Sequence, residues 1–267
     1  MYNETSSQQQ RLCKFGFTYN RGGTHLARTI MLKEVTKLFS YVEKSDATRS
    51  EYRYAIYDEN CLQKRSGKTR LLTFSHLVSL YTLDPKYVLF RALRYFWERD
   101  PASRPLLALL TSYARDGILR STAPFFVKIP KSSRILKVTL EEYINEQNPD
   151  RFNQITLQAT VRNILSSWSQ SGHVTGHIEK YRAQASPSSG AVSLALLLGY
   201  LTGARGENLF HSEFTNLLDC PFDVAVDLAT DASRRGWIVM NRVGTIIEVL
   251  FPNLLTSQDM ELLYEQD

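Results

Sequence analysis

The stretch "AVSLALLLGYL", Ala191 to Leu201, carries no charge. A helix that crosses a bilayer needs about 20 apolar residues, and this run stops well short. A segment that is apolar all round and too short to span a membrane has to be wrapped by other elements. The chain is therefore expected to bury it as a core helix. With 267 residues, 43% hydrophobic and 22% charged, the chain has enough apolar content for one large or two ordinary packed domains. The start, "MYNETSSQQQRLCK", lacks the apolar core of a secretory signal. The expectation is a soluble, cytoplasmic protein with no membrane contact. Cys13, Cys61 and Cys220 are few and far apart, with no CxxC pair, so neither a disulfide framework nor a zinc site is expected.

Residues 1–12 read as a disordered tail. A turn is expected at Asn20–Gly23, then a helix capped by Thr24 with Leu26, Ile30, Val35 and Leu38 on one face. Helical patterns follow at Leu71–Tyr81, Lys86–Glu98 and from Arg104 on to Arg120. Asp84–Pro85 and Asp100–Pro101 punctuate them, because the residue before proline is pushed out of the helical region. In "FFVKIPKSSRILKVTLEEYI", Phe125–Ile129 and Arg134–Val138 read as strands around a turn, with Thr139 capping the next helix.

Farther on, "DASRRGWIVMNRVGTIIEVLF" (Asp231–Phe251) reads as a helix end, a glycine stop and a tight hairpin. The same order occurs earlier. Leu157, Val161, Ile164, Leu165 and Trp168 recur at helical spacing, Gly172 stops the helix, and His173–Ile178 can pair with Glu179–Ala183. The later copy reads as a winged helix supported by Ala191–Leu201 and Ser212–Leu218. The earlier one reads as an abbreviated version of it. The fold class is then mainly α: a helical bundle followed by winged-helix-like segments with short β-hairpins. The expected parts are the tail over 1–12, a basic bundle over 13–130, a helix with a wing-like ribbon over 131–185, and an acidic winged-helix-like domain over 186–267.

Charge is polarised along the chain. Residues 60–137 carry +11 and residues 186–267 carry −7, within a net charge of +5. A chain so divided should have one face that attracts polyanions. Candidate phosphate contacts are Lys64, Arg65, Lys68, Arg70, Arg115, Arg120, Lys128, Lys131 and Arg134. The helix before Gly172 presents Arg162, Asn163, Ser166, Ser169 and Gln170 opposite its apolar stripe. Asn, Gln and Arg are the side chains that pair with base edges, and Ser readily meets phosphate. The ribbon adds His173, His177, Lys180, Tyr181 and Arg182. The helix before Gly236 instead carries Asp223, Asp227 and Asp231. Duplex DNA holds about one negative charge per 1.7 Å of axis, so that face is expected to point away from DNA, toward a protein partner or another copy of the chain.

No catalytic motif is found. "RSGKT" lacks the first glycine of a phosphate-binding loop, since residue 62 is leucine. There is no GxGxxG or HExxH, and no nucleophile with an identifiable base. Glu141 and Glu142 suit a helix start. A non-enzymatic protein without metal or cofactor is expected.

"FTYNRGGT", the amphipathic helix after it, "ENCLQKRSGKTR" and "SYARDGILR", followed by a winged-helix segment, resemble the BrxA proteins of BREX bacteriophage-defence systems. The resemblance covers most of residues 15–185, and the chain is longer than that family at its C-terminus. It implies a bundle like that of the antitermination factor NusB and a non-enzymatic double-stranded DNA-binding role. It further implies work beside a BREX methyltransferase, an alkaline-phosphatase-like protein and an ATPase. The alternatives are a protein-interaction adaptor and a winged-helix transcriptional regulator.

Overall fold

The computed structural model describes residues 2–19, 22–244 and 246–264. Helix α1 (Tyr2–Phe15) occupies the segment read as a disordered tail. Leu12 and Phe15, three apart on one face, are buried and tie it down. Of the expected turn, Asn20 and Arg21 lie outside the described residues. Thr24 opens only a single 3-10 turn, Thr24–Leu26. The helix starts later, as α2 (Leu32–Tyr41), after Met31 adopts a left-handed φ of 52°. Then come α3 (Arg49–Tyr57), closed by a Thr48–Glu51 capping box, and α4 (Gly67–Tyr81), capped by Ser66. Helices α5 (Val88–Arg99), α6 (Arg104–Arg115) and α7 (Gly117–Lys128) complete the first part.

Two expectations fail here for one reason. The helix read through to Arg120 breaks at Asp116, whose carboxylate caps α7 by accepting from the Leu119 amide at 3.0 Å. The strand expected at Phe125–Ile129 is the end of α7, reaching Lys128, and Ile129 is its C-cap. Ile118, Leu119, Thr122, Ala123 and Phe126 are buried at helical spacing. A short apolar run is ambiguous by itself, and packing decided it.

Strand β1 (Arg134–Ile135) leads into α8 (Lys137–Gln147), which begins before the expected cap Thr139, and then α9 (Gln154–Gln170). Strands β2 (Val174–Thr175) and β3 (Lys180–Arg182) follow, in an antiparallel sheet of order β1-β3-β2. The sequence α7, β1, α8, α9, β2, β3 is a winged-helix arrangement with three strands. It takes its first helix from upstream of residue 131, and it is fuller than the abbreviated copy expected there.

The second arrangement is α10 (Ser189–Leu201), α11 (Glu213–Asn216), α12 (Phe222–Arg234) and the hairpin β4 (Val239–Val243) with β5 (Ile246–Leu250); α13 (Ser257–Tyr264) ends it. It has two strands, paired through Val243↔Ile246 at the tip. As expected, every residue of α10 is buried. The helix packs against α5 and α6 on one side and against α11 and α12 on the other. It thereby joins the bundle and the second winged helix around one apolar core. Among the described residues no helix is long and apolar enough to cross a membrane.

Candidate nucleic-acid interface

Helix α9 is the helix that precedes the β2–β3 ribbon. The Asn153 side chain caps it, accepting from the Thr156 amide at 2.9 Å. Leu157, Val161, Ile164, Leu165 and Trp168 are all buried, as their spacing predicts. Trp168 stacks on Phe126 of α7 at 4.5 Å between ring centroids. Gly172, at φ +91°, ends the helix in a conformation that suits glycine.

The polar side of α9 is only partly open. Asn163 donates to the His25 carbonyl at 3.0 Å. Gln170 accepts from the Leu32 amide at 3.0 Å and donates to Ser166 at 3.1 Å. Asn163 and Ser166, both expected to meet DNA, are therefore engaged within the protein. The chain segment from His25 to Leu32 runs along this flank of the helix. Arg162 is exposed and has no partner among the described residues.

A buried triad fixes that segment in place. His25 Nδ1 lies 2.8 Å from Asp116, and His25 Nε2 lies 2.9 Å from Ser167 Oγ. All three residues are buried. Asp116 also accepts from the His25 amide at 3.1 Å, and Ser167 Oγ accepts from the Ile30 amide at 3.0 Å while lying 2.9 Å from the Asn163 carbonyl. Burial alone would raise the Asp116 carboxyl. The His25 charge and the hydrogen bonds from His25 and the Leu119 amide outweigh it and hold the group below the usual carboxylate range. Acid, histidine and hydroxyl stand in the order of a hydrolytic triad, but the Ser167 hydroxyl is enclosed and already held. Its observable work is to clamp three segments together. Gly23 is part of the clamp: a Cβ there would sit 2.1 Å from Asp116 Oδ1. Gly23 and His25 thus meet Asp116 in space. No local pattern marks it, because the partners lie 91 and 142 residues from His25.

The predicted basic residues divide into two groups. Arg115 donates to the carbonyls of Gly16, Ser79 and Val78, and burial pushes its guanidinium down to about 10. Arg120 donates to the carbonyls of Thr18, Tyr113 and Ala114. Arg182 is buried, donating to the Phe126 and His173 carbonyls and pairing with Asp219 at 2.9 Å. These three hold the fold and are not open to phosphate. Lys64 pairs with Glu34 at 3.0 Å, and Arg70 donates to the Tyr57 carbonyl. His173 is buried too, donating from Nε2 to the Leu217 carbonyl at 2.9 Å. Burial and the nearby Arg182 push its imidazole down to about 4.

Arg65, Lys68, Lys128, Lys131 and His177 are exposed. Arg134 is exposed but bridges Glu179 at 2.7 Å. Lys180 of β3 reaches the Gly176 carbonyl at 2.7 Å and comes within 3.4 Å of Ser169 on α9. Two further cations were not anticipated. Arg28 and Lys33 are exposed and sit on the segment that runs along α9. Lys180 thus meets α9 at Ser169, and Arg28 and Lys33 lie on the segment bonded to it at Asn163 and Gln170, all toward the C-terminal half of the helix that also carries Arg162.

The second copy differs. Asp223 and Asp227 of α12 are exposed. Asp231, expected on the same partner face, is anchored instead: it accepts from Ser189 at 2.6 Å and from Arg235 at 2.8 Å, and these bonds hold its carboxyl below the usual range. The register places Val239, Asn241, Val243, Ile246, Glu248 and Leu250 on one side of the hairpin, all exposed. The other side carries the buried Ile247 and Val249.

Comparison with protein-family models, with curated proteins and with solved structures returns no match.

Proposed function

We propose that this chain is a non-enzymatic double-stranded DNA-binding protein that serves as an accessory component of a BREX-type phage-defence system. The observation that carries the DNA-binding half is the open face of α9. It bears the unpartnered Arg162, with Lys180 against Ser169 and the segment carrying Arg28 and Lys33 bonded at Asn163 and Gln170 farther along the same helix, which precedes the ribbon as a recognition helix does. The cations supply affinity through phosphates, and the helix sets the register. The defence half rests on the resemblance to BrxA proteins. In that setting the partners are DNA and other BREX components, among them the methyltransferase, the phosphatase-like protein and the ATPase. Loss of phage protection on deleting the gene would support that half, and unchanged plating would refute it.

A second role is favoured by the other copy. Its hairpin exposes Val243 at 77% and Ile246 at 73% at the tip, and its α12 exposes Asp223 and Asp227. Exposed apolar side chains and carboxylates on this copy disfavour DNA and suit a protein partner or a second copy of the chain.

Fluorescence anisotropy with a labelled duplex at several salt concentrations tests the DNA reading. Each neutralised phosphate contributes about −0.9 to the slope of log K against log salt. Four contacts predict a slope between about −3 and −5. No binding at low salt, or binding indifferent to salt, refutes it.

A further inference from the structure

Three residues of α9 stand apart from the clamp and the core. Ile155, Gln158 and Arg162 occur at i, i+3 and i+7, which puts them on one face of the helix. Ile155 is 80% exposed, and Gln158 and Arg162 are exposed with no partner among the described residues. The neighbouring polar residues Asn163, Ser166 and Gln170 are already committed within the protein. At 80% exposure, Ile155 in the first turn of α9 buries little apolar surface within the chain. Its chemistry, with that of the two residues beyond it, matches base edges instead.

We propose that this face reads sequence directly in the major groove, with Ile155 against a thymine methyl, Gln158 on the N6/N7 edge of adenine and Arg162 on the O6/N7 edge of guanine. The inference rests on the duplex-binding reading above. Spacing limits its reach. At about 1.5 Å of rise per residue, Ile155 and Arg162 lie about 10 Å apart along the axis. With about 3.4 Å between base pairs, that spans about three base pairs. Lys180, Arg28 and Lys33, toward the other end of α9, would hold the helix on the backbone without reading bases.

The test is selection of bound duplexes from a random pool by the full chain, with Gln158→Ala, Arg162→Lys and Ile155→Ser alongside. The wild type should select a window of about three to four base pairs, and each good contact should discriminate by about tenfold. Gln158→Ala should relax the A·T position alone. Arg162→Lys should relax the G·C position while keeping overall affinity within about threefold, since the charge stays. Replacing thymine by uracil in the selected duplex removes only the methyl. It should weaken the wild type, a readout that does not depend on how any variant folds, and leave Ile155→Ser unaffected. Binding with no selected window, or a window that the variants leave unchanged, overturns this inference and leaves the duplex-binding reading standing. Failure to bind any duplex removes both.

Discussion

In the unit from α7 to β3, the interior contains Asp116, His25, Ser167, His173 and Arg182. In the unit from α10 to β5, the helix at the centre contributes Ala191, Val192, Leu194, Ala195, Leu196, Leu197 and Leu198, and Ala225, Val226, Ala229 and Ala232 of α12 pack from the other side. Both are winged-helix arrangements. The first adds directional hydrogen bonds and an ion pair to its apolar stripe, while the interior of the second is mainly apolar. Buried polar groups are costly unless every partner is present. Where they are met, they fix the position of each segment. The polar-knit copy is thus the one whose outer surface is set by specific bonds, and it is the copy that presents the open face of α9. The apolar-knit copy gains stability without fixing polar direction, and its outer surface is aliphatic and acidic.

The contrast breaks first at Arg182. Its guanidinium serves the carbonyls of Phe126, His173 and Ala183 as well as Asp219. Arg182→Ala strands all of them. Removing one partner of a buried pair costs about 3–5 kcal/mol, and urea denaturation should show a loss of that size. A change under about 1 kcal/mol would mean that the polar interior is incidental.

The second effect is acid sensitivity. His173 is buried and neutral, its imidazole pushed down to about 4 against about 6.5 when unfolded. The unfolded chain therefore binds a proton that the folded chain refuses between those values. Stability is complete above about pH 6.5, falls as pH drops through the interval, and levels off below about pH 4. That interval corresponds to up to about 3 kcal/mol. Asp116 acts in the same direction lower down, because its carboxyl is held below the usual range in the folded chain and stability is lost as that group protonates. His173→Gln keeps a donor for the Leu217 carbonyl and should flatten the curve between pH 6.5 and 4. A curve of unchanged shape would remove His173 as its cause.

What the sequence revealed and what it hid follow the same division. The apolar helix at Ala191–Leu201, the stripe from Leu157 to Trp168 and the glycine stops at Gly172 and Gly236 are local signals, and the fold contains each of them. The fate of a polar or charged side chain is not local. Arg115, Arg120 and Arg182 carry the same charge as Arg162, and composition cannot separate a guanidinium aimed at carbonyls from one aimed at solvent. Asn163 and Gln170 look like base-reading residues by type, yet their partners are the backbone of residues 25 and 32. Ile155 and Gln158 went unnoticed because an exposed isoleucine is visible only once the core has been assigned. Residues 1–12 read as a disordered tail because α1 is held by only a few apolar side chains, Leu12 and Phe15, among many polar ones.

The smallest expected effect sharpens the comparison most. If the first copy meets DNA and the second does not, the same kind of charge change should matter in one and not in the other. Arg162→Glu with Lys180→Glu places two new negative charges beside the open face of α9, and should lower duplex affinity by tenfold or more, roughly 1.4 kcal/mol. Asp223→Asn with Asp227→Asn changes the exposed face of α12, and should leave affinity within a factor of about two, because charges beyond a Debye length of about 8–10 Å are largely screened. Both pairs are on the surface, so neither should disturb the core. Anisotropy at a single fixed salt concentration compares them. A tenfold gain from the aspartate pair would place those carboxylates against phosphate. The acidic copy would then be the DNA-facing one held in check, and the roles of the two winged helices would be reversed.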